Sequence, residues 1–208
     1  MTTALQSAAI AHVTAPRGHV CVYAASSGQV SQHYVQAAYE LGSLLVAAGY
    51  GLVNGAGRTG LMAATTDGVL ATGGHAVGII PQFMIEHGWG RTDMSHTIVT
   101  PDMHSRKQTM ANLSVGCIAL PGGVGTLEEL LEIITWKQLG LFDRPIVILN
   151  SEGFYDPLLA MLHRLVDEQM MRPMHTNLWC VAATPQEAVA LLASTPTWDI
   201  TQSKFAAM

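Results

Sequence analysis

Short apolar runs recur along the chain at 20–25, 51–54, 76–80, 96–99, 117–120, 146–149 and 179–182. Their length and unbroken apolar character suit strands covered on both faces, as in a parallel sheet. Longer amphipathic stretches separate them. In 31–48, for example, Tyr34, Ala38, Leu41, Leu45 and Ala48 fall on one helical face, and Gly49 ends the helix. The same reading predicts helices from about 60 to 72, over 102–114 with Asp102 as N-cap, from Thr126 through Lys137, over 154–170 and over 185–193. Residues 82–95, with His87, Gly88, Trp89 and Gly90, read as an irregular surface loop. Regular alternation of strand and helix predicts one α/β domain, a doubly wound parallel sheet with helices on both faces. That domain is expected over 19–194. A loose N-terminal tail is expected over 1–18, and a C-terminal tail over 195–208 whose Trp198 and Phe205 either pack on the body or hang free.

Three turns at predicted strand ends carry the candidate chemistry. After the fifth strand comes Pro121-Gly122-Gly123-Val124-Gly125-Thr126-Leu127-Glu128-Glu129. The glycines allow close backbone approach to a ligand, and the helix that follows offers free N–H groups and a positive dipole end to an anion. Thr126 with Glu129 three residues later also reads as a capping box, which gives Glu129 a purely structural alternative. The spacing matches neither the usual dinucleotide fingerprint nor a P-loop, since no lysine follows the glycines. Gly55-Ala56-Gly57-Arg58-Thr59-Gly60 is a second glycine turn, and Ser26-Ser27-Gly28 closes the first strand. Any one of these fits an ordinary connection as well as a ligand site; all three are expected at the carboxyl edge of the sheet, where ligands collect. In the helix 102–114, Arg106 and Lys107 lie on or beside the apolar face of Met103, Met110 and Leu113. Charges so placed snorkel, pair, or point into a pocket.

Composition narrows the function. Of 208 residues, 49% are hydrophobic and 12% charged, which fits a single compact domain. A net charge of −5 disfavours nonspecific nucleic-acid binding, so an anionic ligand must find local cations, with Arg58, Arg106 and Lys107 as candidates. Cys21, Cys117 and Cys180 sit in apolar runs and read as buried thiols without a disulfide framework, and no metal-ligand spacing links them to the nine histidines. No window is long and apolar enough to span a membrane, and the first eighteen residues lack a signal-peptide pattern. A cytoplasmic enzyme is the resulting expectation.

The chain resembles the LONELY GUY family of cytokinin-activating phosphoribohydrolases, many of which carry an older lysine decarboxylase-like label. The resemblance rests on PGGxGTxxE at Pro121–Glu129 and on Met-x-x-Arg-Lys at Met103–Lys107. Gly60-Leu61-Met62, Ile80-Pro81 and Trp136-Lys137-Gln138-Leu139-Gly140 extend it over about Val20 to Pro173. Two positions depart: Ala24-Ala25-Ser26 stands where the family has Cys-Gly-Ser, and Gly55-Ala56-Gly57 where it has three glycines. The resemblance implies a Rossmann-like fold and a homodimer. It implies hydrolysis of the N-glycosidic bond of a nucleoside 5′-monophosphate, carrying an N6-substituted adenine or plain adenine, to free base and ribose 5-phosphate. No metal or cofactor is implied. Glu129 and Arg106 are the implied catalytic pair; Ser26, Gly57, Met103, Lys107, Gly122, Gly123, Gly125, Thr126 and Glu128 are the implied substrate-binding residues. A decarboxylase would need a Schiff-base lysine, and Lys107, Lys137 and Lys204 are poor candidates. The competing expectation is a nucleotide or molybdenum-cofactor carrier of the same fold, which needs the glycine turns but not the Arg106–Glu129 pair.

Overall fold

A computed structural model describes residues 15–205. Its elements alternate as β1 (His19–Tyr23), α1 (Gln32–Ala47), β2 (Gly51–Asn54), α2 (Gly60–Ala71), β3 (Ala76–Pro81), α3 (Gln82–Glu86), β4 (His96–Thr100), α4 (Met103–Leu113), β5 (Ser114–Ala119), α5 (Val124–Gln138), β6 (Ile146–Leu149), α6 (Asp156–Asp167), β7 (Cys180–Ala182) and α7 (Pro185–Ser194). Short 3-10 turns cover Ser151–Gly153, Pro173–Leu178 and Ile200–Phe205. The seven strands form one sheet in the order β4-β3-β2-β1-β5-β6-β7, every pair parallel. The Rossmann-like, single-domain expectation holds.

Strand alternation divides the core into two layers. Val20, Val22, Leu52, Ile118, Leu120, Val147 and Leu149 face α1, α2 and α7. Cys21, Tyr23, Val53, Cys117, Ala119, Ile146 and Ile148 face α4, α5 and α6. The sheet is therefore buried on both sides, which explains the unbroken apolar runs. The order in which successive strands are added reverses between β1 and β5: β2 to β4 extend the sheet to one side of β1, and β5 to β7 to the other. Beyond their last paired residues, Tyr23 and Ala119, the two connections stay joined: Leu120 N–H donates to the Tyr23 carbonyl at 2.9 Å and Ala25 N–H to the Pro121 carbonyl at 3.2 Å. This is the switch point at which open α/β sheets bind ligands.

Several local expectations change. Helix α5 begins at Val124 with Gly123 in the cap position and no side-chain cap, so Thr126 is not an N-cap and the Thr126–Glu129 capping box does not form. Gly123 takes an extended conformation (φ −85°, ψ −164°) that starts the helix early and moves Glu129 into its second turn. Asp102 does cap α4, accepting from Ser105 N–H at 2.7 Å. The stretch 82–95 is not wholly irregular, because Pro81 leads into the short α3. The helix expected over 154–170 shortens to α6, entered through Pro157 in its first turn. Cys21 and Cys117 are buried, whereas Cys180 is only half-buried. Residues 1–14 and 206–208, parts of the two expected tails, lie outside the described residues. Residues 15–18 sit on the body: Ala15 is buried, Arg17 N–H donates to the Gly49 carbonyl, and the Arg17 guanidinium lies over the Tyr50 ring. Trp198 packs against the second core layer, and its backbone N–H donates to the Asp143 carbonyl at 2.6 Å.

Candidate active site

The carboxyl ends of β1, β2 and β5 open into one cavity of about 590 Å³. Ser26, Gly57, Met103, Arg106, Gly123, Gly125, Thr126, Glu128 and Glu129 all line it. Two expected substrate-binding residues do not. Gly122 lies behind the wall, where an added Cβ would come 2.1 Å from Thr126 Oγ1; its smallness seats Thr126 rather than a ligand. Lys107 is buried and turned to one side, its Nζ 2.5 Å from Glu128 and 3.0 Å from Glu132. Those carboxylates hold its pKa up against the cost of burial. Lys107 thus balances acidic charge beside the cavity instead of presenting its own charge to it.

One part of the cavity wall is built from the backbone at the start of α5. The first N–H groups of a helix have no intrahelical acceptor, and the first such bond in α5 runs from Leu127 N–H to the Gly123 carbonyl at 3.0 Å. Gly123, Gly125 and Thr126 line the cavity at the positive end of a 15-residue helix with no acidic residue in its first turn. Opposite, Thr59 Oγ1 donates to the Ser26 carbonyl at 2.6 Å and Met62 N–H to the Ala25 carbonyl at 3.1 Å, seating the start of α2 on the Ser26-Ser27 turn.

Arg106 and Glu129 meet in the wall. Both are almost fully buried, 5% and 8% exposed. Arg106 Nε donates to the Ile79 carbonyl at 3.1 Å and Nη2 to the Gly55 carbonyl at 3.4 Å, so two strand ends fix the guanidinium. Its Nη1 stands 3.8 Å from Glu129 Oε1, close enough for an ion pair and too far for a hydrogen bond. Burial pushes the Glu129 carboxyl up to about 7; Arg106 opposes that shift, and Glu128 adds to it. Among the described residues no donor reaches the Glu129 carboxylate within hydrogen-bond distance. It is a cavity-facing carboxyl poised to gain or lose a proton near neutrality, beside a fixed cation.

The family model described as "Possible lysine decarboxylase" matches residues 62–192. A relative from Oryza sativa subsp. japonica, named a "Probable cytokinin riboside 5'-monophosphate phosphoribohydrolase", is 42% identical over 173 residues, 83% of this chain and 71% of its own length. A cytokinin riboside 5'-monophosphate phosphoribohydrolase of Arabidopsis thaliana is 38% identical over 193 residues, 88% of this chain and 91% of its own. The chain belongs to the LONELY GUY family. Among solved structures, the X-ray structure of TM1055 aligns with a TM-score of 0.66 at 25% identity, covering 85% of this chain and 98% of that one. A molybdenum cofactor carrier protein of Chlamydomonas reinhardtii aligns at 0.64 and 21% identity, covering 85% and 96%, a likeness of fold alone.

The LONELY GUY signatures do not cover the whole cavity. Gly55 and Met62, from the second glycine turn and the Gly60-Leu61-Met62 stretch, also line it, and so do Arg58, Thr59, Met84 and Trp89, which belong to none of the signature stretches. Met84 and Trp89 come from the stretch read as a surface loop, and only its aromatic and apolar content hinted at them. Ala56, one departure from the family pattern, holds a left-handed φ of +56° while buried. Its N–H donates to Asn54 Oδ1 at 2.9 Å and its carbonyl accepts from Arg91 N–H at 2.9 Å, which fixes the conformation. That conformation costs an L-residue about 1–2 kcal/mol, of which the more flexible unfolded chain of a glycine variant returns roughly half. Ala56→Gly is therefore expected to stabilise the fold by about 0.5 kcal/mol. The measurement is the urea midpoint at unchanged slope; a lower midpoint would show that packing of the Ala56 methyl outweighs the strain.

Proposed function

We propose that the protein hydrolyses the N-glycosidic bond of a nucleoside 5′-monophosphate with an adenine-type base, releasing the base and ribose 5-phosphate. The observation that carries the reading is the buried Arg106–Glu129 pair in the wall of a cavity whose far end is a helix N-terminus. The 5′-phosphate sits at the start of α5, against Gly123, Gly125 and Thr126, with Ser26 and Gly57 beside it. Cleavage of the C1′–N bond builds positive charge on the ribose, as in glycoside hydrolysis. Glu129, ionised above about pH 7, stabilises that charge and orients or deprotonates the attacking water. Arg106 keeps Glu129 in place and balances its charge. The relatives named as cytokinin riboside 5'-monophosphate phosphoribohydrolases support this substrate class. A cofactor carrier of similar fold has no use for a buried carboxylate–guanidinium pair in its cavity. Incubation with AMP and with isopentenyladenosine monophosphate, followed by assay of ribose 5-phosphate, tests the proposal; no product from either overturns it.

Gly125 separates phosphate binding from folding. A Cβ built there meets nothing within 4 Å, so Gly125→Ala adds its methyl to the cavity rather than to the core. The expected result is unchanged or slightly raised stability, since alanine favours helix by about 1 kcal/mol, together with weaker binding of AMP but not of adenosine. Equal losses for both ligands would remove the phosphate from this site.

A homodimer is also part of the reading. Leu131, Leu139 and Leu141 on and after α5 are 39%, 49% and 71% exposed, and Met103 at the start of α4 is 38% exposed. Exposed apolar side chains of this kind suit contact with a second copy of the chain. Among the described residues no helix is long and apolar enough to cross a membrane. Light scattering at micromolar concentration is expected to give twice the chain mass, and a monomer would remove this part of the proposal.

A further inference from the structure

Trp89 is unusual for an indole in a well-packed fold. It is 51% exposed, joins neither core layer, and lines the cavity that holds Glu129. Its backbone, in contrast, is firmly anchored on both sides. Trp89 N–H donates to the Met84 carbonyl at 3.0 Å, and Gly90 forms an isolated antiparallel bridge with Gly57. Next in sequence, Arg91 donates from its backbone to Ala56, from Nη1 to the Ala63 carbonyl at 3.1 Å, and from its other guanidinium nitrogens to Asp67 and Asp93 at 2.7–2.8 Å. Those two carboxylates hold the Arg91 pKa above the ordinary arginine value. The indole also has a partner ring: His87 lies 4.9 Å away, tilted by 38°, and is itself bonded through Nδ1 to the Phe83 carbonyl. An exposed aromatic ring on a clamped backbone loses little freedom when something stacks on it, which is the economy of a preorganised binding surface.

We infer that Trp89 is the stacking platform for the departing base, and that Met84 and Met103 form the apolar wall taking a substituent on that base. This deepens the proposed function and rests on it. Every nucleobase has a π-face, and stacking on an aromatic side chain is tolerant of which base it is. Methionine is flexible and polarizable, so it accepts an apolar N6 group without dictating its shape. The platform contributes to holding the base in ground and transition states alike, so its loss appears in KM rather than in kcat.

The test uses Trp89→Phe and Trp89→Ala in the full chain. Trp89→Ala is expected to raise KM for AMP and isopentenyladenosine monophosphate by about tenfold or more, the scale of base–aromatic stacking, with kcat within about threefold of wild type. Trp89→Phe keeps an aromatic face and is expected to fall between. Inhibition by ribose 5-phosphate, which lacks a base, is expected to stay unchanged in both. Indole fluorescence is expected to be quenched by AMP, not by ribose 5-phosphate, with the quench lost in Trp89→Phe. The side chain is half in solvent, so neither variant threatens the fold, and circular dichroism with thermal unfolding verifies this. If the wild-type protein hydrolyses both nucleotides and Trp89→Ala keeps its KM values, the platform assignment falls while the function stands. If the wild-type protein neither binds nor hydrolyses a nucleotide, both fall.

Discussion

Glu129→Gln is expected to fold, to bind nucleotide, and to lose turnover by about 100-fold or more, the scale of a positioned acid–base or electrostatic group. With the Thr126 cap absent, Glu129 has no duty at the helix end that a glutamine would have to inherit. The loss is expected in kcat, because the carboxylate acts on charge that appears only in the transition state. The pH behaviour makes the expectation sharper. Because the folded-state pKa is raised from 4.5 to about 7, the folded protein binds the Glu129 proton more tightly than the unfolded chain does. Its contribution to stability is full below about pH 4.5 and is lost as pH rises through 7. Activity moves the other way, since the carboxylate form does the work, and kcat/KM is expected to rise with a limb near pH 7. The glutamine variant should then be the more stable protein at pH 8, by up to about 3 kcal/mol, and the less active one. Glu128→Gln is the control: half-exposed and bound to Lys107, it should cost far less activity. Near wild-type turnover of AMP and isopentenyladenosine monophosphate by Glu129→Gln would end the catalytic assignment.

Gly55→Ala is expected to be nearly as damaging without touching an ionisable group. A Cβ on Gly55 would come 1.7 Å from Arg106 Nη2, a distance no packing adjustment absorbs while the guanidinium stays where it is. Gly55 does not take a left-handed conformation, so the clash is the effect, not backbone strain. Displacing Arg106 breaks its bonds to Ile79 and Gly55 and leaves Glu129 buried without its cation, which raises the Glu129 pKa further. We expect kcat/KM to fall by about 100-fold or more and the acidic limb of the pH profile to move upward. A double-mutant cycle identifies the route. In an Arg106→Ala background the added methyl has room, so Gly55→Ala should then cost almost nothing. Additive losses would mean that Gly55 acts on something other than the guanidinium.

The sheet was legible in the sequence because parallel strands buried on both faces leave continuous apolar runs, and every such run became a strand. Arg106 was legible as a charge on an apolar helix face, and the turns at 26, 57 and 122–126 as glycine or hydroxyl positions after strands. What was hidden depended on three-dimensional proximity. The start of α5 was misplaced because Thr126 is a good cap by type, while Gly123 begins the helix by conformation, which sequence does not display. Lys107 looked like a ligand for an anion, yet its partners Glu128 and Glu132 lie on another helix, beyond any local spacing rule. The role of Gly55 came from an arginine 51 residues away. Trp89 was set aside with its surroundings because the Gly57–Gly90 bridge and the Arg91 clamp that hold it are long-range contacts in a stretch without periodicity.

The strand order has a consequence during synthesis. Residues 19–100 contain β1 to β4 and form one flank of the sheet, but β1 ends up in the middle of the finished structure, beside a strand that lies 91 to 100 residues further on. Until residues 114–119 have left the ribosome, the half-made protein presents β1 as a bare edge, with Val20, Cys21 and Val22 flanked by unpaired backbone groups. Such an edge is a template for pairing with other chains. A fragment ending near residue 100 is thus a candidate for aggregation and for chaperone capture, and β5 closes that edge as it brings Arg106 and Glu129 to either side of it.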